Sequence, residues 1–204
     1  MLWWRGFSQN SVQQHRWRER LQRYHARLVS EQLNYAEPGM TERDDVPRGY
    51  RRTLRRERLG NGEPNFRQAW AALSAGHMHR GSGLGLYPDQ GALDSGSTFL
   101  SYAAWGPLAL LNPCRVITVF EEPLRAGITY GTLPGHVLRG EEEFVVELET
   151  GGTVWLTTTT VSKPAAIYAR LCAPLTRWAQ AYVATRFARA LQAAVHAEAE
   201  NHHE

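Results

Sequence analysis

"EEEFVVELETGGTVWLTTTTV", residues Glu141 to Val161, reads as two β-rich arms joined by a turn at Thr150, Gly151 and Gly152. Side chains alternate along a strand, so Phe144, Val146 and Leu148 share one face of the first arm while Val145, Glu147 and Glu149 share the other. By the same rule Glu141 and Glu143 face together and Glu142 faces away from them. If Glu142 lies on a concave face, it sits in a cavity with a raised pKa or an arginine partner; otherwise it belongs to a solvated strand. Thr157 to Thr160 place two hydroxyls on each face, either polarising a cavity wall or simply filling strand positions.

A hairpin needs neighbouring strands to be stable. Working outward, runs at about 83–87, 97–105, 114–121 and 125–132 precede the arms at 141–149 and 153–161, with Gly, Pro, Asn and acidic turns between them. Six strands in succession imply an antiparallel meander. Upstream, "YRRTLRRERLG" (Tyr50 to Gly60) carries too many arginines for a buried helix and fits an edge or first strand wet on one side. "GEPNFRQAWAALSAG" then sets Phe66, Ala69, Trp70 and Leu73 at helical spacing, with Pro64 in the first turn and Gly76 at the end. After Pro164 an apolar stripe runs through Ile167, Leu171, Leu175, Trp178, Tyr182, Phe187 and Leu191, and Pro174 is expected to divide it into a short and a long helix.

The order strand, helix, six strands, long helix predicts an α+β helix-grip fold: a curved antiparallel sheet of about seven strands wrapped on the C-terminal helix. Residues 1–32, with Val12, Trp17, Leu21, Tyr24 and Leu28 at helical steps, form an extra amphipathic helical extension. Residues 33–49 read as a linker, 50–196 as the domain and 197–204 as a frayed tail.

Composition narrows the function classes. Hydrophobic residues at 43% and charged residues at 21% are ordinary globular values. No run of about 18 apolar residues offers a membrane span. Cys114 and Cys172 lack metal or redox spacing, which with the absence of a secretory signal favours a reducing cytoplasm and implies no cofactor or structural metal. Residues 1 to 80 hold 15 Arg against 8 acids, but no nucleic-acid module accompanies them, so no nucleic-acid partner is expected. The basic N-terminal helix with Trp3, Trp4 and Phe7 leaves peripheral membrane or protein contact through residues 1–32 open as a function.

"YGTLPGH" (Tyr130 to His136) places Pro134-Gly135 at the centre of a type II turn and His136 at its exit. His136 there fixes the turn, contacts a ligand or acts as a base, and Glu142 is the other candidate base. "HMH" at His77 to His79 has metal-compatible spacing on a strand but no third ligand nearby. Cys114 beside Arg115 is either a buried structural thiol or one with a lowered pKa.

The chain resembles the uncharacterised UPF0548 (DUF1990) family from about Asn34 to Leu191. The resemblance rests on "NYAEPGMT", "GYRRTLRRERLGNG", "MHRG", "LNPCRV", "YGTLPGH", "GEEEFVVE" and "VWLTTTTVSKPA". The family has no settled activity, so it implies a fold and candidate positions without catalytic roles. The element order is also similar to that of the Bet v 1-like, or START-like, superfamily, which implies an apolar ligand held between sheet and helix. The expectation is therefore a binder of a small apolar or amphipathic molecule, with Tyr130, Phe144, Trp155, Trp178 and Tyr182 as walls and His136 and Glu142 as polar anchors. The alternative is an enzyme using the same cavity for proton transfer of a cyclase or hydrolase kind.

Overall fold

The computed structural model describes the backbone of residues 2–4, 11–89, 91–165 and 173–201, and the side chains of residues 13–89, 91–165 and 180–196. In chain order the elements are β1 (Leu2–Trp4), α1 (Ser11–Leu28), β2 (Arg51–Asn61), α2 (Gly62–Ser74), α3 (His77–Gly81), β3 (Gly85–Tyr87), β4 (Thr98–Trp105), β5 (Leu108–Glu122), β6 (Arg125–Thr132), β7 (Leu138–Leu148), β8 (Thr153–Pro164) and α4 (Ala173–Asn201). Strands run β2-β8-β7-β6-β5-β4-β3 across one sheet, and β1 pairs with β5 off that path. Each pairing is antiparallel. This is the helix-grip order, with β2 crossing over to flank β8.

Two apolar layers sandwich the sheet. On the concave face Phe66, Trp70 and Leu73 of α2 and Phe187, Leu191 and Val195 of α4 close over Ile128, Phe144 and Val146. On the convex face Trp17, Leu21, Tyr24 and Leu28 of α1 pack on Leu100, Ala109, Leu111 and Leu133. Burying one such side chain contributes about 1.5–3 kcal/mol, so α1 is held by its stripe rather than by its arginines.

Several elements differ from the sequence reading. The first residues are not all helical: Leu2–Trp4 form a strand, paired as Leu2 with Leu110 and Trp4 with Leu108. Fifteen-residue β5 extends beyond β6 and leaves its Leu108–Leu110 edge free to take that strand. The expected linker is instead a strap, at least over residues 33–41. Met40 is buried, and the Gly39 and Thr41 amides donate to the Glu141 carboxylate at 2.8 and 3.2 Å. "HMH" opens the helical turn α3 rather than a strand, so His77 and His79 diverge instead of sharing a face. Pro174 sits in the first turn of α4, where its missing N–H costs no hydrogen bond. The short helix expected before it, with Ile167 and Leu171, lies outside the described residues. Helix α4 runs to Asn201, so part of the expected frayed tail is helical.

Candidate functional site

The concave face is filled at one end and open at the other. Beyond Phe187, the stretch of α4 around Gln180, Val183 and Arg186 stands off the sheet over a cavity of about 930 Å³. Its floor takes Ser101 and Ala103 from β4, Asn112 and Cys114 from β5, Tyr130 from β6 and Glu142 from β7. These residues share a face because strand alternation sends Leu100, Tyr102 and Ala104 to the α1 side.

At the centre of the floor the register sets Tyr130 opposite Glu142, and Glu142 opposite Thr160. The Tyr130 hydroxyl donates to one Glu142 oxygen at 3.1 Å and the Thr160 hydroxyl donates to the other at 3.1 Å. Desolvation raises the Glu142 pKa above the ordinary carboxylate value, and the two hydroxyl bonds pull it part of the way back. Glu142 is thus enclosed by protein on most sides yet keeps surface on the cavity. Burial, with Glu142 beside it, pushes the Tyr130 phenol well up, so it stays a neutral donor.

His136 reaches the cavity from the turn that the sequence indicates. The His136 amide donates to the Leu133 carbonyl at 3.1 Å, and Gly135 has φ of +98°. A Cβ on Gly135 would meet the Tyr24 hydroxyl at 2.3 Å, so glycine is required there twice over. The Leu138 amide donates to His136 Nδ1 at 2.9 Å, which leaves the imidazole proton on Nε2. Desolvation lowers the His136 pKa to about 3, so the ring is a neutral donor and a poor base near neutrality.

His79, from α3, was not among the expected ligand residues. It is 1% exposed, lies tilted against Phe187 with ring centroids 4.9 Å apart and edge-to-face with Phe99 at 5.6 Å, and lines the cavity. Burial, aided by Arg80, lowers its pKa to about 3. Its Nδ1, and Oδ1 of Asn112, have no hydrogen-bond partner among the described residues. A polar atom left in that state costs about 1–3 kcal/mol, and both belong to residues lining the same cavity.

The other expected residues divide. Tyr182 stands half-exposed at the rim, near the exposed Trp105. Phe144 is fully buried on the same concave face as Glu142, its ring 5.5 Å from that of Tyr130 and 5.9 Å from that of Phe187, and it borders the cavity without lining it. Trp155 is a correction: it pairs with Glu147, which puts it on the convex face, where its Nε1–H donates to Glu149 at 3.0 Å and Arg56 lies 4.4 Å over its ring. The side chain of Trp178 lies outside the described residues. Cys114 and Arg115 also part by alternation: the thiol is buried with its pKa raised by desolvation, while Arg115 donates to the carbonyls of Leu28, Val29 and Glu31 on the far side.

Residues 34–190 match the family described as "Domain of unknown function (DUF1990)". The chain belongs to this family. A UPF0548 protein from Deinococcus radiodurans is similar to it, with 36% identity over 176 residues, or 81% of this chain and 89% of the relative. A UPF0548 protein from Arabidopsis thaliana is 35% identical over 88 residues, covering 40% of this chain and 43% of the relative. Among solved structures, a hypothetical protein from Helicobacter pylori has a TM-score of 0.53 at 13% identity, covering 79% of this chain and 95% of its own, a likeness of fold alone. The DUF1990 match opens at Asn34, whose side-chain amide donates to the carbonyls of Leu133 and Leu138, and closes within α4. The matched span therefore takes in the strap, every strand of the main sheet path and the cavity, while α1 precedes it. No helix among the described residues is long and apolar enough to cross a membrane.

Proposed function

We propose that this DUF1990 protein binds a small apolar or amphipathic molecule in the cavity between the sheet and α4. The observation that supports it most is the cavity itself: about 930 Å³ of space, largely apolar in its walls, with a few polar groups converging on it. Ala103, Val183 and Phe187 supply apolar contact, Tyr182 guards the rim, and Tyr130, Glu142 and His136 fix orientation. His136 contributes its Nε2–H as a donor.

The uptake of an environment-sensitive apolar dye by the full chain tests this reading. Dye fluorescence is expected to rise on binding, and Ala103→Trp, which drives an indole into the space, is expected to weaken uptake at least tenfold without unfolding the protein. Equal uptake by the two proteins would overturn it.

A second reading keeps the same cavity for proton transfer, with chemistry of a cyclase or hydrolase kind. It draws support from Glu142, whose desolvated carboxyl is shifted toward neutrality while it retains surface on the cavity. His136 is the weaker base of the two, since Nδ1 is already occupied. Turnover of a substrate identified from the bound molecule that survives Glu142→Gln would remove this reading. The N-terminal helix offers less to a membrane: its Trp17, Leu21, Tyr24 and Leu28 are spent on the sheet.

A further inference from the structure

Strand β2 and α4 enclose a second recess of about 400 Å³, which abuts the main cavity along Leu138, Glu142, Thr160, Ser162 and Gln180. Arg51, Thr53 and Arg55 line it from β2, facing Ser162, Thr160 and Thr158 of β8 across the register. These arginines differ from the others on the same strand. Arg52 donates to the carbonyls of Thr41 and Arg43, Arg56 pairs with Glu147 and Glu149, and Arg58 donates to Asn61. Those three point to the convex side. For the Arg51 side chain no hydrogen bond or ion pair exists among the described residues, and that of Arg55 has only the longer-range influence of Glu57 on its own strand.

We propose that the recess is an anion subsite of the same ligand site: the ligand is an apolar molecule ending in a phosphate or carboxylate group. Its body lies in the main cavity, and Arg51 and Arg55 hold its head against the hydroxyls of Thr53 and Thr158. This rests on the ligand-binding reading above and names its chemical class.

The geometry suits the task. Arg51 and Arg55 lie roughly 13 Å apart along the strand, either side of Thr53, so two arginine side chains each spanning about half that distance can meet one head group from two sides. Lys163 also lines the recess, its ammonium 4.2 Å over the Tyr50 ring, and adds a third positive charge there. Among the described residues Glu142 is the one carboxylate lining the recess. Its shift toward the neutral acid, caused mainly by desolvation, reduces repulsion of an anion, and an anion placed beside it pushes the carboxyl further the same way. The competing view makes Arg51 and Arg55 solvated charges that blunt an exposed sheet edge.

Isothermal titration of the full chain with decyl phosphate, decanoate and decanol separates the two views. Decyl phosphate or decanoate is expected to bind at least about tenfold more tightly than decanol, and added salt is expected to shrink the difference. Arg51→Gln with Arg55→Gln is expected to erase that preference while leaving decanol binding unchanged, and Arg56→Gln on the other face is expected to preserve it. Whichever anion wins assigns the head group. Equal binding of all three compounds, or a preference that survives the double substitution, overturns the anion subsite and leaves the cavity reading standing. Failure of all three to bind overturns both. Should the double variant melt early, Arg55→Gln alone provides the same comparison at a half-buried position.

Discussion

Glu141 and Glu142 are neighbours with the same side chain, and the sheet gives them opposite work. Glu141 turns to the convex face, is 1% exposed and accepts three hydrogen bonds, from the Tyr35 hydroxyl at 2.9 Å and the amides of Gly39 and Thr41. Glu142 turns to the concave face and accepts two, both from hydroxyls, at the wall of a cavity. A carboxylate saturated by backbone donors locks a segment in place. One held by hydroxyls beside open space keeps its capacity for a ligand. The difference generalises to the two faces: the convex one is closed by α1 and the strap, the concave one only in part by α4.

The largest effect expected is on the locked side. Glu141→Ala strands two backbone amides and a phenol whose pKa burial already pushes up, and about 3–5 kcal/mol of stability should go in urea denaturation. Glu142→Ala should cost far less, since only two hydroxyls lose a partner, and near-equal losses would erase the contrast.

Next comes pH. His79 has a folded pKa of about 3 against an ordinary 6.5, so between these values the unfolded chain takes up the extra proton and stability falls as the pH falls. About 1.4 kcal/mol per pH unit corresponds to roughly 2 kcal/mol lost from pH 6.5 to 5, and the loss fades out within about a unit above 6.5. His136 acts in the same direction. Denaturation midpoints for His79→Phe should show a flatter acid limb. Glu142 has the opposite sign, because its raised pKa makes its contribution present below the ordinary carboxylate pKa and lost as pH rises through the folded one, and Glu142→Gln should remove that loss.

The smallest effect belongs to the convex surface. Arg56 is exposed and pairs with Glu147 and Glu149 in solvent, so Arg56→Ala should cost only about 0.5 kcal/mol by the same denaturation. It should leave dye uptake untouched.

Much of this contrast was legible in the strand "EEEFVVELE", because period-two alternation divides Glu141 from Glu142 whatever surrounds them. The six-strand meander and the type II turn before His136 were legible for the same reason: alternation and Pro-Gly chemistry are local. The faces of Trp155 and Cys114 depended on more. Trp155 needed the hairpin register, since only its pairing with Glu147 sets its side. The strap was hidden because "NYAEPGMT" has loop composition, and its order comes from a carboxylate 100 residues away. Arg51 and Arg55 had a signal that could have found them: they share strand parity with Leu59, which is buried in the concave core. His79 had only the "HMH" spacing and the "MHRG" match, neither of which places its side chain, since an isolated turn of helix between α2 and β3 leaves no periodicity to read.

Native mass spectrometry of the full chain and of Ala103→Trp, purified in parallel from the same cells, bears most directly on the open concave face. The wild-type protein should carry, or take up on exposure to a lipid extract, a small apolar or amphipathic molecule that the plugged variant lacks. A wild-type protein that stays at its bare mass under both conditions, or a plugged variant that carries the same molecule, would contradict it.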